Sequence, residues 1–596
     1  MSALPAQADF ETAKASAAAP PLLPPAPGDW LRAPLWANRA LFGQAALAAI
    51  LINVFAVATA LFSMAVYNKV IPNNAVDSML ALVIGITLVI VFDFTLRTLR
   101  GTFIDTAGQN IDRVLGAALF DRLLGMKLSD RRDSTGAFAG LLREFEALRE
   151  FFASATITAL VDVPFALFFI AAIGLIAPPL VIVPLLAIPI VIAVAVAAQP
   201  LLGRLSAAGM TQSLGKQGVI VETIGSLETV KTSLAGPLLA RRWRTAVAHH
   251  AALSRRQRSV AAVAVNVAAA MQSIVLVATL ALGVTLIARH QLSMGALVAA
   301  SMLASRAVAP LGQIAGLLTR LSHTRDAYRA LDRVMTRPGE VGGAAGRRGQ
   351  DMQPLRRPVM TGRLAFRRVS FRYPGSTQLA LEDVSFDIAP GDRVAIIGPV
   401  GSGKSTIARL LLGLYQPEDG AVIIDDADVR QIHPDDLRAN IGAVLQDVVL
   451  LSGSIRDNIA LAHPAIDDTE VLRAARLSGA HDFIGKLPGG YDVQLADRGE
   501  GLSGGQRQAI AIARALARPA GAGAKPVLIF DEMTSALDRL SETALIGRLE
   551  AEIGASTMVF VSHREAILRL ATHVIVMDGG RIAMQGPRDA VMQMLA

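Results

Sequence analysis

Long apolar runs separated by charged segments fill the chain from residue 41 to about residue 320. Six of these runs approach the roughly 20 apolar residues that a helix needs to cross a bilayer. They are residues 45–66, 75–96, 153–177, 179–199, 259–288 and 291–318. The pattern predicts an all-α polytopic membrane domain with six transmembrane helices. An even number of crossings places both termini on the same side of the membrane.

The charges between the apolar runs predict which side that is. Residues 97–150 contain nine Lys and Arg, and residues 200–258 contain another nine, whereas the short turns on the other face offer Lys69 and Arg289. Because Lys and Arg accumulate on the cytoplasmic side, both long loops and both termini are predicted to be cytoplasmic. The two loops keep a helical apolar spacing, so we expect the membrane helices to continue beyond the bilayer.

Asp93, Asp162 and Arg306 are ionisable residues well inside the predicted spans. A charge within a span is costly and is by default a functional hypothesis. The alternative is that these residues pair with each other or lie near the interface, and the sequence leaves both possibilities open.

Composition narrows the class of protein further. Hydrophobic residues make up 53% of the 596 residues and charged residues 18%, which indicates a membrane part joined to a soluble part. The net charge is +8, and in a membrane protein an excess of Lys and Arg usually marks the cytoplasmic flanks of the helices. We therefore expect no nucleic-acid partner. The absence of cysteine excludes disulfides, thiolate metal sites and cysteine nucleophiles, and the nine histidines lack a metal-ligand spacing.

Three further segments complete the predicted domain organisation. Residues 1–40 are rich in Ala and Pro and predict a flexible cytoplasmic tail ahead of a membrane domain at 41–336. Residues 337–360 contain glycine and charge without an apolar period, which predicts a linker. Residues 361–596 form the soluble domain, where RLAFRRVSFRY and RVAII (393–397) are predicted strands.

The second predicted strand leads into GPVGSGKST, residues 398–406, and an amphipathic helix follows with Ile407, Leu410, Leu411 and Leu414 on one face. Strand, glycine-rich loop and helix are the context of a phosphate-binding loop, in which backbone N–H groups and a helix N-terminus converge on an anion. Lys404 adds a charge for the β and γ phosphates, and the Ser405 hydroxyl can ligate Mg²⁺. The predicted nucleotide-binding residues of this loop are Gly398, Pro399, Val400, Gly401, Ser402, Gly403, Lys404, Ser405 and Thr406.

A second acidic site follows the apolar run PVLIF, residues 526–530. Asp531 and Glu532 end this predicted strand, where one carboxylate can hold Mg²⁺ and the other can polarise a water molecule. The sequence therefore predicts an α/β P-loop domain that binds a nucleotide and Mg²⁺, and it leaves open which of the two carboxylates holds the metal.

The stretch LSGGQRQ, residues 502–508, resembles the signature motif of the ATP-binding cassette proteins, and the resemblance extends over residues 361–596. It implies that Tyr373 stacks on adenine, that Gln446 senses Mg²⁺ and the membrane domain, and that His563 lies near the γ phosphate. Residues 535–538 (SALD) look like the loop that crosses between the two halves. Asp497 stands where exporters of this family usually carry Glu, a mild departure from the pattern.

The same resemblance implies a homodimer. In this family the signature residues, here Ser503, Gly504, Gly505 and Gln506, contact the γ phosphate bound by the opposite subunit. One chain carries one phosphate loop and one signature, so two complete sites require two chains. The resemblance also implies that Lys404, Gln446, Glu532 and His563 carry out hydrolysis of ATP, with Glu532 as the general base. Ser405, Gln446 and Asp531 are then the expected ligands of Mg²⁺.

Six spans ahead of one cassette resemble a half-size exporter, in which residues 131–146 and 222–231 look like cytoplasmic elbows that dock on the cassettes. Residues 67–75 (YNKVIPNNA), 142–166 and 306–318 resemble the inner-membrane ATPases of type I protein secretion. The resemblance implies an ATP-driven translocase of a secreted polypeptide, joined to a periplasmic adaptor and an outer-membrane channel.

The sequence departs from that family in one respect and leaves two other functions open. Many members carry an N-terminal peptidase-like domain, whereas about 40 residues precede the first span here, so cargo recognition is expected to rest on the cassette, the loops or the tail. The alternatives are a lipid or drug flippase with the same architecture and a membrane-anchored regulatory or scaffold ATPase that transports nothing. Intact Lys404, Asp531, Glu532 and His563 argue against the last.

Overall fold

The structure is a computed structural model that describes residues 28–130, 145–146, 148–149, 151, 162–337, 339–340, 354–461, 463, 465–519, 525–552, 554, 556–562 and 564–595. Their contacts divide into two compact units. The helical unit takes the described residues within 24–124 and 133–337, and the cassette unit takes those within 125–132 and 338–596.

Very long helices dominate the helical unit. Four of them run for 49, 44, 53 and 42 residues, and at 1.5 Å per residue each exceeds the roughly 30 Å hydrocarbon core by a wide margin. The expected extension of the spans as helices is confirmed. The helices are α1 Asp29–Ala37, α2 Arg39–Ala65, α3 Val76–Leu124, α4 Phe165–Ile176, α5 Ile182–Gly225, α6 Leu227–Thr232, α7 Gly236–Ala288 and α8 Met294–Met335, with a π-helical turn Val66–Val70 and a short turn Ile71–Asn73 after α2.

Four helical stretches among the described residues are long and apolar enough to cross a membrane. They are Arg39–Asn73, Val76–Leu124, Pro178–Gly225 and Gly236–Ala288, which correspond to the first, second, fourth and fifth predicted spans. The third and sixth predicted spans contain the shorter apolar helices Phe165–Ile176 and Met294–Pro310. Both helices are shorter than a full crossing, and residues 153–161 of the third span lie outside the described residues, so these two crossings stay predictions.

Small residues allow the helices of this unit to pack closely. Ala299, Ala300 and Ala307 on α8 are completely buried, and they belong to a cluster that also includes Phe169 and Ile173 on α4. Alanine at a helix contact lets the two backbones approach, which is the usual means of packing when lipid supplies no hydrophobic driving force.

Two of the ionisable residues of the predicted spans, Asp93 and Asp162, pair with arginines that the sequence did not indicate. Asp93 pairs with Arg97 one turn further along α3 at 2.7 Å, and Asp162 pairs with Arg100 at 2.9 Å. Arg306 interacts electrostatically with Asp93 and Arg97. Asp93 and Asp162 are therefore neutralised by arginines of α3.

Two sheets and a group of helices form the cassette unit. One sheet has the strand order β2-β1-β4-β5, the main sheet has the order β12-β11-β3-β10-β9-β6, and β7 pairs with β8. The strands are β1 Leu364–Phe371, β2 Leu381–Ile388, β3 Arg393–Ile397, β4 Asp419–Ile424, β5 Ala427–Asp428, β6 Ile441–Val444, β7 Gly453–Ser454, β8 Gln494–Leu495, β9 Val527–Asp531, β10 Thr557–Val561, β11 His573–Asp578 and β12 Arg581–Pro587. The helices are α9 Lys404–Leu411, α10 Pro434–Asn440, α11 Ile455–Ala460, α12 Asp468–Ser478, α13 His481–Ile484, α14 Gly504–Leu516, α15 Arg539–Glu552, α16 Glu565–Leu568 and α17 Arg588–Leu595.

The main sheet gathers the predicted site at one edge. Strands β3, β6, β9 and β10 are parallel neighbours, and every residue of β9 and β10 is buried. Because the carboxyl ends of parallel strands share an edge, the segments that follow β3, β6 and β9 come together there. Those segments begin with Gly398, Leu445 and Glu532. Helix α9 ends at Leu411, so Leu414 of the predicted stripe lies beyond it.

The predicted elbows are only partly described. Residues 131–144 lie outside the described residues, but the segment just before them belongs to the cassette unit, where the Glu340 N–H donates to the Gly125 carbonyl at 2.7 Å. Glu340 also forms a two-point ion pair with Arg438 at 2.8 and 2.9 Å. Within 222–231, helix α5 ends at Gly225 and the short α6 follows after Ser226, a break that agrees with an elbow.

Candidate functional site

The glycine-rich loop lies between β3 and α9, and its backbone requires glycine at specific positions. Gly398 and Gly403 have φ of 145° and 96°. A Cβ on Gly403 would lie 2.5 Å from the Ala380 carbonyl oxygen, and one on Gly398 would collide with the Met577 carbonyl. These close approaches leave no room for a side chain, so the loop can curl only with glycine there.

Lys404 stabilises that curl from within. The residue is 8% exposed, and its Nζ donates to the carbonyl oxygens of Gly398 at 2.8 Å and Pro399 at 2.6 Å, with Ser402 Oγ at 3.4 Å. Burial lowers the pKa of the Lys404 ammonium, against the opposing pull of the Glu532 and Asp531 carboxylates. The loop therefore holds a cation in place before any phosphate arrives.

Asp531 has the features of a metal ligand. Its side chain is 2% exposed, and its Oδ1 has no hydrogen-bond partner among the residues that the structure describes. Burial raises the pKa of Asp531, against the opposing effect of the nearby Ser405 hydroxyl, which lowers it. An orphaned carboxylate oxygen beside a hydroxyl is a donor set that suits Mg²⁺, so these residues fit the expected ion.

Glu532 occupies an unusual backbone conformation. Its φ is 54°, in the left-handed region that glutamate rarely adopts. Three hydrogen bonds hold it there: its N–H donates to the Val561 carbonyl at 2.9 Å, and its own carbonyl accepts from Gln508 Nε2 at 2.9 Å and from the Ser535 N–H at 3.1 Å. A strained backbone conformation persists only where surrounding contacts offset its energetic cost, and such residues cluster at functional sites. The conformation of Glu532 therefore supports a functional role for this residue.

The Tyr373 ring is fixed to the helix that follows the phosphate loop. Its hydroxyl lies 3.1 Å from Thr406 Oγ1 and accepts from Arg409 Nη1 at 2.8 Å. Phe371 and Tyr415 pack against the ring at centroid distances of 4.9 and 5.3 Å. Contacts on several sides thus fix the orientation of the ring, while the ring stays partly exposed, as stacking on the adenine of a nucleotide requires.

The signature residues begin helix α14. Ser503 is the N-cap: its Oγ accepts from the Gln506 N–H at 3.2 Å, and Gln506 Oε1 accepts from the Ser503 N–H at 2.8 Å. This reciprocal capping box fixes the turn while Ser503 and Gly504 stay exposed. A groove of about 710 Å³ lies beside them, lined by the signature residues, by residues 536–538 and by Lys486.

The other predicted site residues are placed less tightly. Gln446 is exposed two residues beyond β6, and Val400 at the tip of the phosphate loop is 98% exposed. Residues 497–499 form a short 3₁₀ turn in which Arg498 has a φ of 56°. His563 lies outside the described residues, so its position stays a prediction.

Sequence reasoning missed three residues that organise the site. Gln508 contacts the Glu532 backbone, Arg409 contacts the Tyr373 hydroxyl, and Arg564 donates to the carbonyls of Ser535 at 3.2 Å and Leu537 at 3.3 Å. Gln508 lies within the quoted signature, but its side-chain contacts join residues 24 to 28 positions apart. Of the three, only Gln508 gave a signal in the sequence, as a polar residue beside the apolar positions of the predicted helix.

Comparisons with known proteins agree with this arrangement. The ABC transporter family model matches residues 381–535, and the ABC transporter transmembrane region matches residues 42–311. The exotoxin translocation ATP-binding protein PaxB of Pasteurella aerogenes is 34% identical over 93% of this chain and 76% of its own length. The leukotoxin translocation ATP-binding protein LktB of Mannheimia glucosida is 33% identical over 93% of this chain and 77% of its own length.

A solved structure extends the likeness to three dimensions. The structure of a bacterial Atm1-family ABC exporter with ATP bound superposes with a TM-score of 0.80, covering 95% of this chain and 97% of that one at 26% identity. The predicted fold class, a helical membrane domain followed by an α/β ATP-binding domain, is confirmed.

Proposed function

The chain belongs to the ABC transporter family as an ATP-hydrolysing exporter, and from that premise we propose that it is the permease and ATPase of a type I secretion system. The observation that carries the proposal is the identity of about one third, over 93% of the chain, to proteins named for toxin translocation. Its cargo is then a secreted polypeptide, and its partners are a periplasmic adaptor and an outer-membrane channel. The proposed location is the bacterial inner membrane, with both termini in the cytoplasm.

We propose that the working unit is a homodimer. Each chain is proposed to consist of a tail at 1–40, a membrane domain at 41–336, a linker at 337–360 and a cassette at 361–596. Each nucleotide is bound by the phosphate loop of one subunit and by Ser503, Gly504 and Gly505 of the other. The exposed, capped start of α14 supports a nucleotide site shared between two subunits, because hydrogen-bond donors that bind a partner's nucleotide must face away from their own core.

Hydrolysis is proposed to follow from the residues at the sheet edge. Glu532 takes the proton of the attacking water, and the Lys404 ammonium stabilises charge on the γ phosphate. Ser405, Asp531 and Gln446 would hold Mg²⁺, which when bound neutralises charge on the phosphate oxygens. Gln446 and His563 orient water and phosphate, and Tyr373 supports the adenine.

The base is tested by Glu532→Gln in full-length protein reconstituted in proteoliposomes. The amide keeps the shape of the side chain but cannot accept the proton, so we expect ATP to bind while turnover falls by at least about a hundredfold. Glu550→Gln, on the exposed face of α15, is the matched control and should hydrolyse ATP normally. ATP hydrolysis by Glu532→Gln at the wild-type rate would contradict the assignment of Glu532 as the general base.

The cargo is tested with the same proteoliposomes. An unfolded, glycine-rich, calcium-binding repeat polypeptide should stimulate ATP hydrolysis by wild type and enter the vesicles in an ATP-dependent manner. Stimulation by lipid or drug without an effect of the polypeptide would favour the flippase function. Absence of ATP hydrolysis by wild type under every condition would contradict the whole proposal.

A further inference from the structure

Gln508 connects two parts of the cassette that serve different nucleotides. It lies on α14 five residues after Ser503, and its side chain is 4% exposed. Nε2 donates to the Glu532 carbonyl at 2.9 Å and approaches Ser535 Oγ at 3.4 Å, while Oε1 accepts from the Ala536 N–H at 3.0 Å. One amide thus holds the backbone of the proposed base and the backbone of the crossing loop, residues 535–538.

Other hydrogen bonds also hold the segment that Gln508 contacts: the Glu532 N–H donates to the Val561 carbonyl at 2.9 Å, and the Glu532 carbonyl accepts a second bond from the Ser535 N–H at 3.1 Å. Glu532 has a φ of 54°, which for a residue with a side chain is unfavourable without support. The crossing loop is also supported from the other side, where Arg564 donates to the carbonyls of Ser535 and Leu537 and pairs with Glu542 at 3.2 Å. The loop is therefore fixed between the signature helix and the segment that follows β10.

We propose that Gln508 is a positioning residue that couples the signature helix to hydrolysis in the same subunit. Any shift of α14 when Ser503 engages the partner's nucleotide moves the Gln508 amide, and with it the backbone at Glu532 and Ala536. Closure around one nucleotide is thereby transmitted to the base that acts on the other. This inference rests on the proposed role of Glu532.

The test compares Gln508→Met with Gln508→Glu in the full-length protein. Methionine keeps the length and volume of the side chain but removes both hydrogen bonds, whereas glutamate keeps the acceptor for Ala536 and loses the donor to Glu532. We expect kcat for ATP hydrolysis to fall by about tenfold to a hundredfold in Gln508→Met, because small misplacements of a catalytic group cost that much. The KM for ATP should stay within about twofold, and Gln508→Glu should retain part of the lost activity.

Gln585→Met, on the exposed edge strand β12, is the matched control and should change neither parameter. Unchanged kcat in Gln508→Met would overturn the inference, and so would a parallel loss of kcat, ATP affinity and thermal stability, which would indicate a merely structural role. Wild type is assayed in the same preparation. Its failure to hydrolyse ATP would overturn the proposed function, whereas equal activity of wild type and Gln508→Met would overturn this inference alone.

Discussion

Replacement of Asp531 by asparagine should stabilise the nucleotide-free cassette and abolish its activity. The wild-type carboxylate is 2% exposed, and its Oδ1 has no partner among the described residues. A buried polar group left unsatisfied costs about 1–3 kcal/mol, and a charged one more. The Ser405 hydroxyl and the charges of Arg409 and Lys404 offset part of this cost. We therefore expect a net gain of about 1 kcal/mol when the charge is removed.

That gain corresponds to an increase of about 2–4 °C in the unfolding temperature of a domain of this size. All three tryptophans precede residue 337, so tryptophan fluorescence does not report on the cassette, and calorimetry of the full-length protein in detergent is the appropriate assay. ATP hydrolysis, measured in parallel, should fall by about a hundredfold or more, because asparagine is a much weaker ligand for Mg²⁺ than aspartate.

The pH dependence gives a second check with a definite sign. Burial raises the pKa of Asp531 above its ordinary value of 3.8, so the folded protein binds this proton more tightly than the unfolded chain does. The destabilising contribution is fully present above the raised pKa and disappears as the pH falls from there toward 3.8. The stability difference between Asp531→Asn and wild type should shrink over that interval. A variant less stable than wild type at neutral pH would refute the reasoning.

Further predictions concern the loop, the ring and the base. Gly403→Ala should lower the unfolding temperature and the ATP affinity, because its Cβ would meet the Ala380 carbonyl oxygen at 2.5 Å. The control Gly489→Ala has a similar φ of 100° but only an ordinary contact at 3.4 Å. It should lower the free energy of unfolding only by the roughly 1–2 kcal/mol that a left-handed backbone costs a residue with a side chain. Equal ATP binding by both variants would contradict this. Tyr373→Leu should weaken ATP binding by about 1 kcal/mol or more through loss of stacking, whereas Tyr373→Trp should retain most of it, as measured by calorimetric titration. Glu532→Gln should bind ATP and turn over at least about a hundredfold more slowly, with Glu550→Gln unchanged.

Local patterns in the sequence predicted the elements that carry the chemistry. The strand RVAII, the phosphate loop and the helix from Lys404 are all adjacent in the chain, so residue order alone fixes their relation. The long helices followed from apolar spacing that continues through the charged loops. The Asp531 carboxylate was expected at the end of a strand because a buried apolar run precedes it, and β9 does end at that residue.

Contacts between distant residues could not be predicted in this way. The pairing of Asp162 with Arg100 joins positions 62 residues apart, and the contact of Gln508 with Glu532 joins positions 24 residues apart. Both depend on how helices and strands pack, which one sequence does not encode as a local pattern. The left-handed backbone conformation at Glu532 could not be predicted either, because an Asp-Glu pair after a strand does not require it.

The central claim, that each nucleotide is bound by the phosphate loop of one subunit and the signature of another, is tested most directly by ATP retention in mixed dimers. In a Glu532→Gln background, one subunit carries Lys404→Met and the other carries Ser503→Arg, with different affinity tags. Each variant alone should retain no ATP after gel filtration, whereas the doubly purified mixed dimer should retain one ATP, in the site built from the intact Lys404 of one subunit and the intact Ser503 of the other. Retention by the Ser503→Arg homodimer, or none by the mixed dimer, would contradict the account.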